Sequence, residues 1–318
     1  METTLSLKQM AVLGAAIFLS GCLGIDAAAD PTVTTVVPTI TEANPTSVPT
    51  ETLSPALTDI PYATTTPRPS PTATNAPTTT PTVDPCWQAG GRITQHTLTT
   101  DLSPSPWEFR IYTPPCYDQQ TDRSYPLLVL IHGSMFTDSQ WDDLGADEAA
   151  DALISSGAAA PFLILMPRDR LFVAPVRDPF DEALVTRILP WVDQQYRTIP
   201  ERDYRAIGGL SRGASWAVHL GLRYWFEFSA IGAHSLPIFL SDPPLIPIWL
   251  ADIPPDMLPR IYVDIGDDDH LLEKAVWFEG LLTELNIPHE WHLNTGRHDS
   301  VYWESHLGEY IAWYASGW

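Results

Sequence analysis

Lysine is nearly missing from this chain: Lys8 and Lys274 are the only two in 318 residues, and all Lys and Arg together number 17 against 39 acids, a formal charge of -22. So one-sided a balance argues against nucleic acid and anionic lipid surfaces as partners, because both are bound through clustered cations. Acidity serves solubility, so it identifies no substrate. Membrane-length apolar runs are missing too. The run "MAVLGAAIFL", residues 10–19, is shorter than the roughly 20 residues that cross a bilayer; behind Lys8 it suits a secretory signal. Cysteine is scarce, at Cys22, Cys86 and Cys116 alone. The chain has no internal repeat.

The apolar run ends in "LSGC". Small residues before Cys22 resemble the lipobox of bacterial lipoproteins, which implies a signal peptide over residues 1–21, lipidation of the Cys22 thiol and an anchor on the outer face of a membrane. Residues 22–85 are mostly Thr, Pro, Ala and Val, as in "TTTPRPSPTATNAPTTTPTVDP", without the apolar periodicity that could offset chain ordering. They are expected to form a disordered stalk, reaching at most roughly 190 Å if wholly polyproline-like. With Cys22 lipidated, Cys86 and Cys116 remain as a pair in an exported protein, where disulfides persist. A bridge between them would stabilise the fold by roughly 3.5 kcal/mol on the loop-entropy model.

Residues 86–318 amount to one catalytic-size domain with a large core. Strand-like and helix-like stretches alternate through it, the pattern of a mostly parallel sheet covered on both faces. "RITQHTLTT" and "WEFRIYTPP" read as an opening antiparallel pair. "YPLLVLIHG", "PFLILMP", "YRAIGG", "FSAIGAHS" and "RIYVDIG" read as buried strands, being short continuous apolar runs, and "HEWHLNTG" as the last strand. Helices are expected near residues 146–156, over "DEALVTRILPWVDQQY" with a kink at Pro190, over "ASWAVHLGLRYW", over 272–285 and over "YWESHLGEYIAWY". The proline-broken apolar piece from Pro237 to Pro259 fits neither a strand nor a long helix; it could cap a pocket or pad the surface.

Gly209, Ser211 and Gly213 form G-x-S-x-G. Composition alone produces that pattern about one time in ten in a chain this long. Its context sharpens it, because a buried strand precedes and a helix of small residues follows, the strand-to-helix turn that lifts a serine out of the carboxyl edge of a sheet. The helix start there favours a developing anion. A serine hydroxyl is a weak nucleophile and needs a base, and the base needs an orienting acid, which in this arrangement follow the serine as acid first and histidine last. Asp267, Asp268 and Asp269 lie just past the "RIYVDIG" strand. Asp269 has room to turn back toward a base and is the expected acid, with Asp267 the alternative. His298, in "GRHDS", is the histidine that is both loop-borne and past the acid; His289 and His292 fall in a strand and His306 in a helix. The loop "LIHGSMFTDSQW" would supply an oxyanion-hole amide from Ser134 or Met135, and Arg212, just after the serine, the second. His132 reads as a structural residue beneath that loop.

"YTPPCY", "YPLLVLIHG" followed by "DSQW", "GGLSRGASWAVHLGL", "GDDDHLL" and "GRHDSVYW" together resemble the esterase D branch of the α/β-hydrolases, from about Arg110 to Trp318. That branch includes feruloyl and acetyl-xylan esterases, enterochelin esterases and bacterial mycolyltransferases. The resemblance implies an α/β-hydrolase fold, a nucleophile at Ser211, an acid at Asp269 and a base at His298. It also puts Trp141 where the branch often has a tryptophan, expected to serve packing first and a pocket wall second. The piece 237–259 has no clear counterpart in that branch, so substrate preference does not carry over. The expected activity is serine carboxylic-ester hydrolysis without metal or organic cofactor, on a small-molecule or polysaccharide-linked ester. Alternatives are acyl transfer by the same three residues and a non-catalytic surface binding module.

Overall fold

A computed structural model describes residues 85–318; the signal segment, Cys22 and the stalk through residue 84 lie outside the described residues. Eight strands make one sheet: β1 Arg92–Leu98, β2 Trp107–Thr113, β3 Leu127–Ile131, β4 Leu163–Pro167, β5 Arg205–Leu210, β6 Ala230–His234, β7 Arg260–Gly266 and β8 Glu290–Asn294. Their spatial order is β1-β2-β4-β3-β5-β6-β7-β8. β1 pairs antiparallel with β2 and β2 antiparallel with β4, whereas every pairing from β4 through β8 is parallel. The central strands β3, β4, β5 and β6 are buried at every position, as continuous apolar runs require of strands covered on both faces. Cys86 and Cys116 are joined in a disulfide, Cα atoms 4.9 Å apart, which clips the segment before β1 to the loop after β2.

Four principal helices cover the sheet: α1 Ala146–Ser155, α2 Arg212–Arg223, α3 Leu272–Glu284 and α4 Ser300–Ala315. One core lies on the face of the sheet that carries Phe109, Val129 and Ile207, packed with Trp216 and Leu220 of α2 and Phe278 of α3. The second lies on the opposite face, where Tyr112, Leu128 and Ile164 meet Ile154 of α1 and Tyr310 and Tyr314 of α4. The stretch expected to kink at Pro190 runs as Phe180–Ala183, a π-helical Leu184–Ile188 and Leu189–Gln195. Proline lacks an N–H and its ring crowds the carbonyl four residues back, so the turn before it widens. The proline-rich insertion holds a short α-helix, Ile246–Asp252, with a proline in its first turn, and a 3-10 turn, Pro255–Met257. This architecture is the α/β-hydrolase fold.

Cross-strand partners Gly208 and Gly232 leave a slot in the sheet. A Cβ on either would collide with the phenol oxygen of Tyr314, which reaches in from α4. That oxygen bonds Nε2 of His234 at 2.9 Å. Asp264 completes the buried cluster, holding His234 Nδ1 at 2.6 Å and accepting from the hydroxyls of Tyr302 and Tyr310. The last helix is thereby keyed to the middle of the sheet.

Candidate active site

Ser211 sits between the end of β5 and the start of α2 with φ 53° and ψ -124°, a backbone region that costs a non-glycine residue of order 1–3 kcal/mol. Its amide donates to the carbonyl of His234 at 2.8 Å, pinning the turn to β6. Glycines make the corner possible. A Cβ at Gly213 would strike the carbonyl of Ile131, and one at Gly209 would strike the backbone of Gly213, so the helix start packs backbone to backbone against β3 and β5.

Three parallel strands, β5, β7 and β8, deliver the expected serine, acid and histidine to one edge. His298 Nε2 lies 2.9 Å from Ser211 Oγ, and His298 Nδ1 lies 2.9 Å from Asp269 Oδ2. Burial pushes the Asp269 carboxyl up, but hydrogen bonds from His298, the Leu271 amide and Ser235 outweigh it and hold the group below the usual carboxylate range. Trp303 packs edge-on against the His298 ring, with centroids 5.0 Å apart. Asp267 does not face the imidazole. Its Oδ1 accepts from the Gly296 amide at 3.0 Å, and Asp268 pairs with Arg297, so these two acids fasten the loop that carries His298.

Opposite them, the loop after β3 carries Ser134 and Met135. Ser134 lines the cleft; the Met135 side chain stands 89% exposed, on a residue with φ 68°. The Gly133 amide donates to Gln140 Oε1 at 2.7 Å, a buried clamp on the loop's first bend. His132 lies beneath, its Nδ1 2.8 Å from the Gly133 carbonyl and its Nε2 accepting from the Asp169 amide at 3.0 Å. Burial pushes its imidazole down, which keeps it neutral in that tautomer. Arg212 directs its guanidinium to Asp169 Oδ2 at 2.6 Å, an oxygen that also accepts from Trp216.

Trp141 is no pocket wall. It is 1% exposed, donates Nε1 to the Ile131 carbonyl at 3.0 Å and meets His234 edge-on, so its ring is consumed by packing under the sheet edge. The walls of the roughly 610 Å³ cleft are Phe136, Leu210, Pro237, Leu271 and Trp303, around Ser211 and His298. Pro237 is the one residue of the insertion among them. Gln140, Ser235 and Trp303 escaped sequence reasoning; of these only Gln140 carried a signal, its place on the segment after the glycine bend. Asp269, His270 and His298 each offer one ligand atom within 4.8 Å of the others, a spacing that could hold a cation. Such an ion would compete with the hydrogen bonds among Asp269, His298 and Ser211. Among the described residues no helix is long and apolar enough to cross a membrane.

A strand-to-helix serine, an imidazole and a carboxylate at one rim of this fold define the serine-hydrolase class. The family described as "Putative esterase" matches residues 103–314, and the chain belongs to it. It is similar to the esterase Rv1288 of Mycobacterium tuberculosis, 30% identical over 131 residues, 37% of this chain and 26% of that protein. It is similar also to an endo-1,4-beta-xylanase/feruloyl esterase of Xylanibacter ruminicola, 26% identical over 170 residues, 48% of this chain and 23% of that protein. The chain thus spans about a quarter of the length of these curated relatives. Among solved structures, a ferulic acid esterase shares the fold with a TM-score of 0.64 at 24% identity, over 72% of this chain and 98% of that one. A feruloyl esterase module from Clostridium thermocellum, complexed with sinapinate, does so at 0.60 and 15%, over 70% and 88%.

Proposed function

We propose that this protein is an extracytoplasmic serine carboxylic-ester hydrolase working through an acyl-enzyme on Ser211. The observation that carries the reading is the unbroken run of hydrogen bonds from Asp269 through His298 to Ser211, at the floor of a cleft. With Nδ1–H held by the carboxylate, Nε2 offers its lone pair to the serine hydroxyl. His298 takes that proton as Oγ adds to the ester carbonyl, and the new oxyanion accepts from the amides of Arg212 and of Ser134 or Met135. Collapse breaks the bond to the alcohol, which departs with the proton from His298. Water, deprotonated by the same nitrogen, adds to the acyl carbon; collapse releases the carboxylic acid and returns the proton to Ser211.

The cleft's apolar walls suit an aryl or other bulky acyl group, and the names of the ferulic acid esterase and the sinapinate complex support a hydroxycinnamoyl-type ester, free or polysaccharide-linked. The lipobox-like Cys22 and the Thr/Pro-rich segment support a lipid-anchored domain over residues 86–318 held off the membrane by a stalk. Hydrolysis of short nitrophenyl and feruloyl esters by the full chain, beside Ser211→Ala, tests the enzyme. A loss of roughly 10⁴-fold or more is expected, and equal rates in both would remove the reading. Metabolic labelling with a fatty acid tests the anchor: label should enter the wild type and not Cys22→Ala, and label in both refutes it.

A further inference from the structure

A second pocket, of about 290 Å³, adjoins the ester cleft, and Pro237 lines both. The path of the departing alcohol points toward it. The alcohol collects its proton from His298, so it leaves on the side of the imidazole, away from the oxyanion amides. On that side the His270 ring stands 4.7 Å from the His298 ring, and Leu271 follows as a wall of the cleft. Just beyond, α3 contributes Glu273, Lys274 and Trp277 to the second pocket, whose other bank is Ile238, Leu240 and Pro243 of the insertion. These groups are within reach of a ligand. Trp277 is 40% exposed and Leu240 91%, and Glu273 and Lys274 are exposed as well. Lys274 is the one lysine among the described residues, and neither it nor Glu273 has a charged partner there.

An exposed indole, an apolar bank beside it and two unpaired charges of opposite sign restrict what can sit among them. A carboxylate would meet Lys274 but repel Glu273, an ammonium group the reverse, and an alkyl chain would answer neither. Hydroxyl groups both donate and accept, so they suit the ammonium and the carboxylate together. The C–H face of the ring that bears them can lie against Trp277. We infer that this pocket receives a sugar ring carried by the leaving alcohol of the ester, an inference that rests on the esterase reading above and names the half of the substrate which that reading left open. Its volume is at the small end for ligand sites and suits one ring rather than a chain of them. The insertion, which supplies Pro237, Ile238, Leu240 and Pro243, then selects the alcohol and not the acid.

The test measures binding to the full chain carrying Ser211→Ala, by titration calorimetry, for esters that share one acyl group. They are methyl ferulate, octyl ferulate, and the feruloyl esters of the primary hydroxyls of methyl glucoside and methyl arabinofuranoside. At least one sugar ester should bind roughly fivefold or more tightly than the methyl ester. That ratio should fall toward one in Trp277→Ala, and Lys274→Met should lower it as well. The inference is overturned if neither sugar ester binds, if sugar and methyl esters bind equally, if the ratio survives Trp277→Ala, or if the octyl ester gains as much as the sugar esters. Hydrolysis of the same esters by the wild type, judged against Ser211→Ala, decides the esterase reading separately. Turnover with equal binding of sugar and methyl esters refutes the sugar pocket alone, and selective binding without turnover refutes hydrolysis while the sugar pocket stands.

Discussion

Gln140 holds the glycine bend of the proposed oxyanion loop, and replacing it separates loop geometry from global stability. Its Oε1 must face the Gly133 N–H, so its Nε2 points away, and that Nε2 is buried without a partner. Gln140→Leu keeps side-chain bulk while deleting both atoms. Loss of the acceptor strands a buried backbone N–H, at a cost of about 1–3 kcal/mol, whereas loss of the orphan donor recovers a similar amount. The unfolding free energy should therefore move by less than about 1.5 kcal/mol. Turnover should not be spared, because Ser134 follows the freed bend directly and a displacement of about 1 Å at a reacting centre can cost 100-fold. Gln140→Glu retains the acceptor and should keep the loop in place. The assays are kcat on a nitrophenyl ester and the urea midpoint of the same preparations. A Leu variant with wild-type kcat would refute the clamp, as would a Leu variant whose lost activity merely follows a collapse in stability.

Asp269→Asn should lower kcat by roughly 10⁴-fold by disturbing the tautomer of His298; Asp267→Asn, which loosens the Gly296 and Thr295 contacts of the loop but not the imidazole, should cost far less, and equal losses would refute Asp269 as the acid. Gly232→Ala drives a methyl into the Tyr314 hydroxyl and should destabilise the fold by at least about 2 kcal/mol, visible as a lower thermal midpoint, and an unchanged midpoint would mean that the slot is not filled as described. Burial and the neighbouring Asp169 push the Asp178 carboxyl up to about 7. The folded state therefore binds this proton more tightly than the unfolded chain, and the stability it contributes is present below about pH 4 and lost as pH rises through about 7. Asp178→Asn should gain stability relative to the wild type across that interval in denaturant titrations, and a constant difference would contradict the assignment.

The sheet was legible because parallel strands covered on both faces must be apolar at every position, and "LLVLI" or "RAIGG" can hardly be read otherwise. Ser211 was legible for a related reason, since its turn demands glycines at fixed offsets. Asp269 and Asp267 differ only in what lies across from them, which depends on how the β8 loop folds back, and sequence order ranked them without separating their tasks. Trp141 shows the limit from the other side: its position beside the oxyanion loop is readable, but burial of its ring under the sheet edge is decided by Ile131 and His234. Gln140 and Ser235 act through one polar atom each, and no spacing rule announces a single atom. The π-helical turn before Pro190 is a local answer to a missing N–H, so its place was foreseeable and its form was not.

The phenol of Tyr314 seated in the gap between Gly208 and Gly232 has a bearing on motion. The loop carrying His298 is moored from behind by a helix that cannot slide without withdrawing that ring, and from the front by two carboxylates. Substrate entry and product exit must then be accommodated on the far bank of the cleft, where Met135 and Phe136 stand in solvent, and relaxation experiments looking for turnover-linked exchange should find it there first.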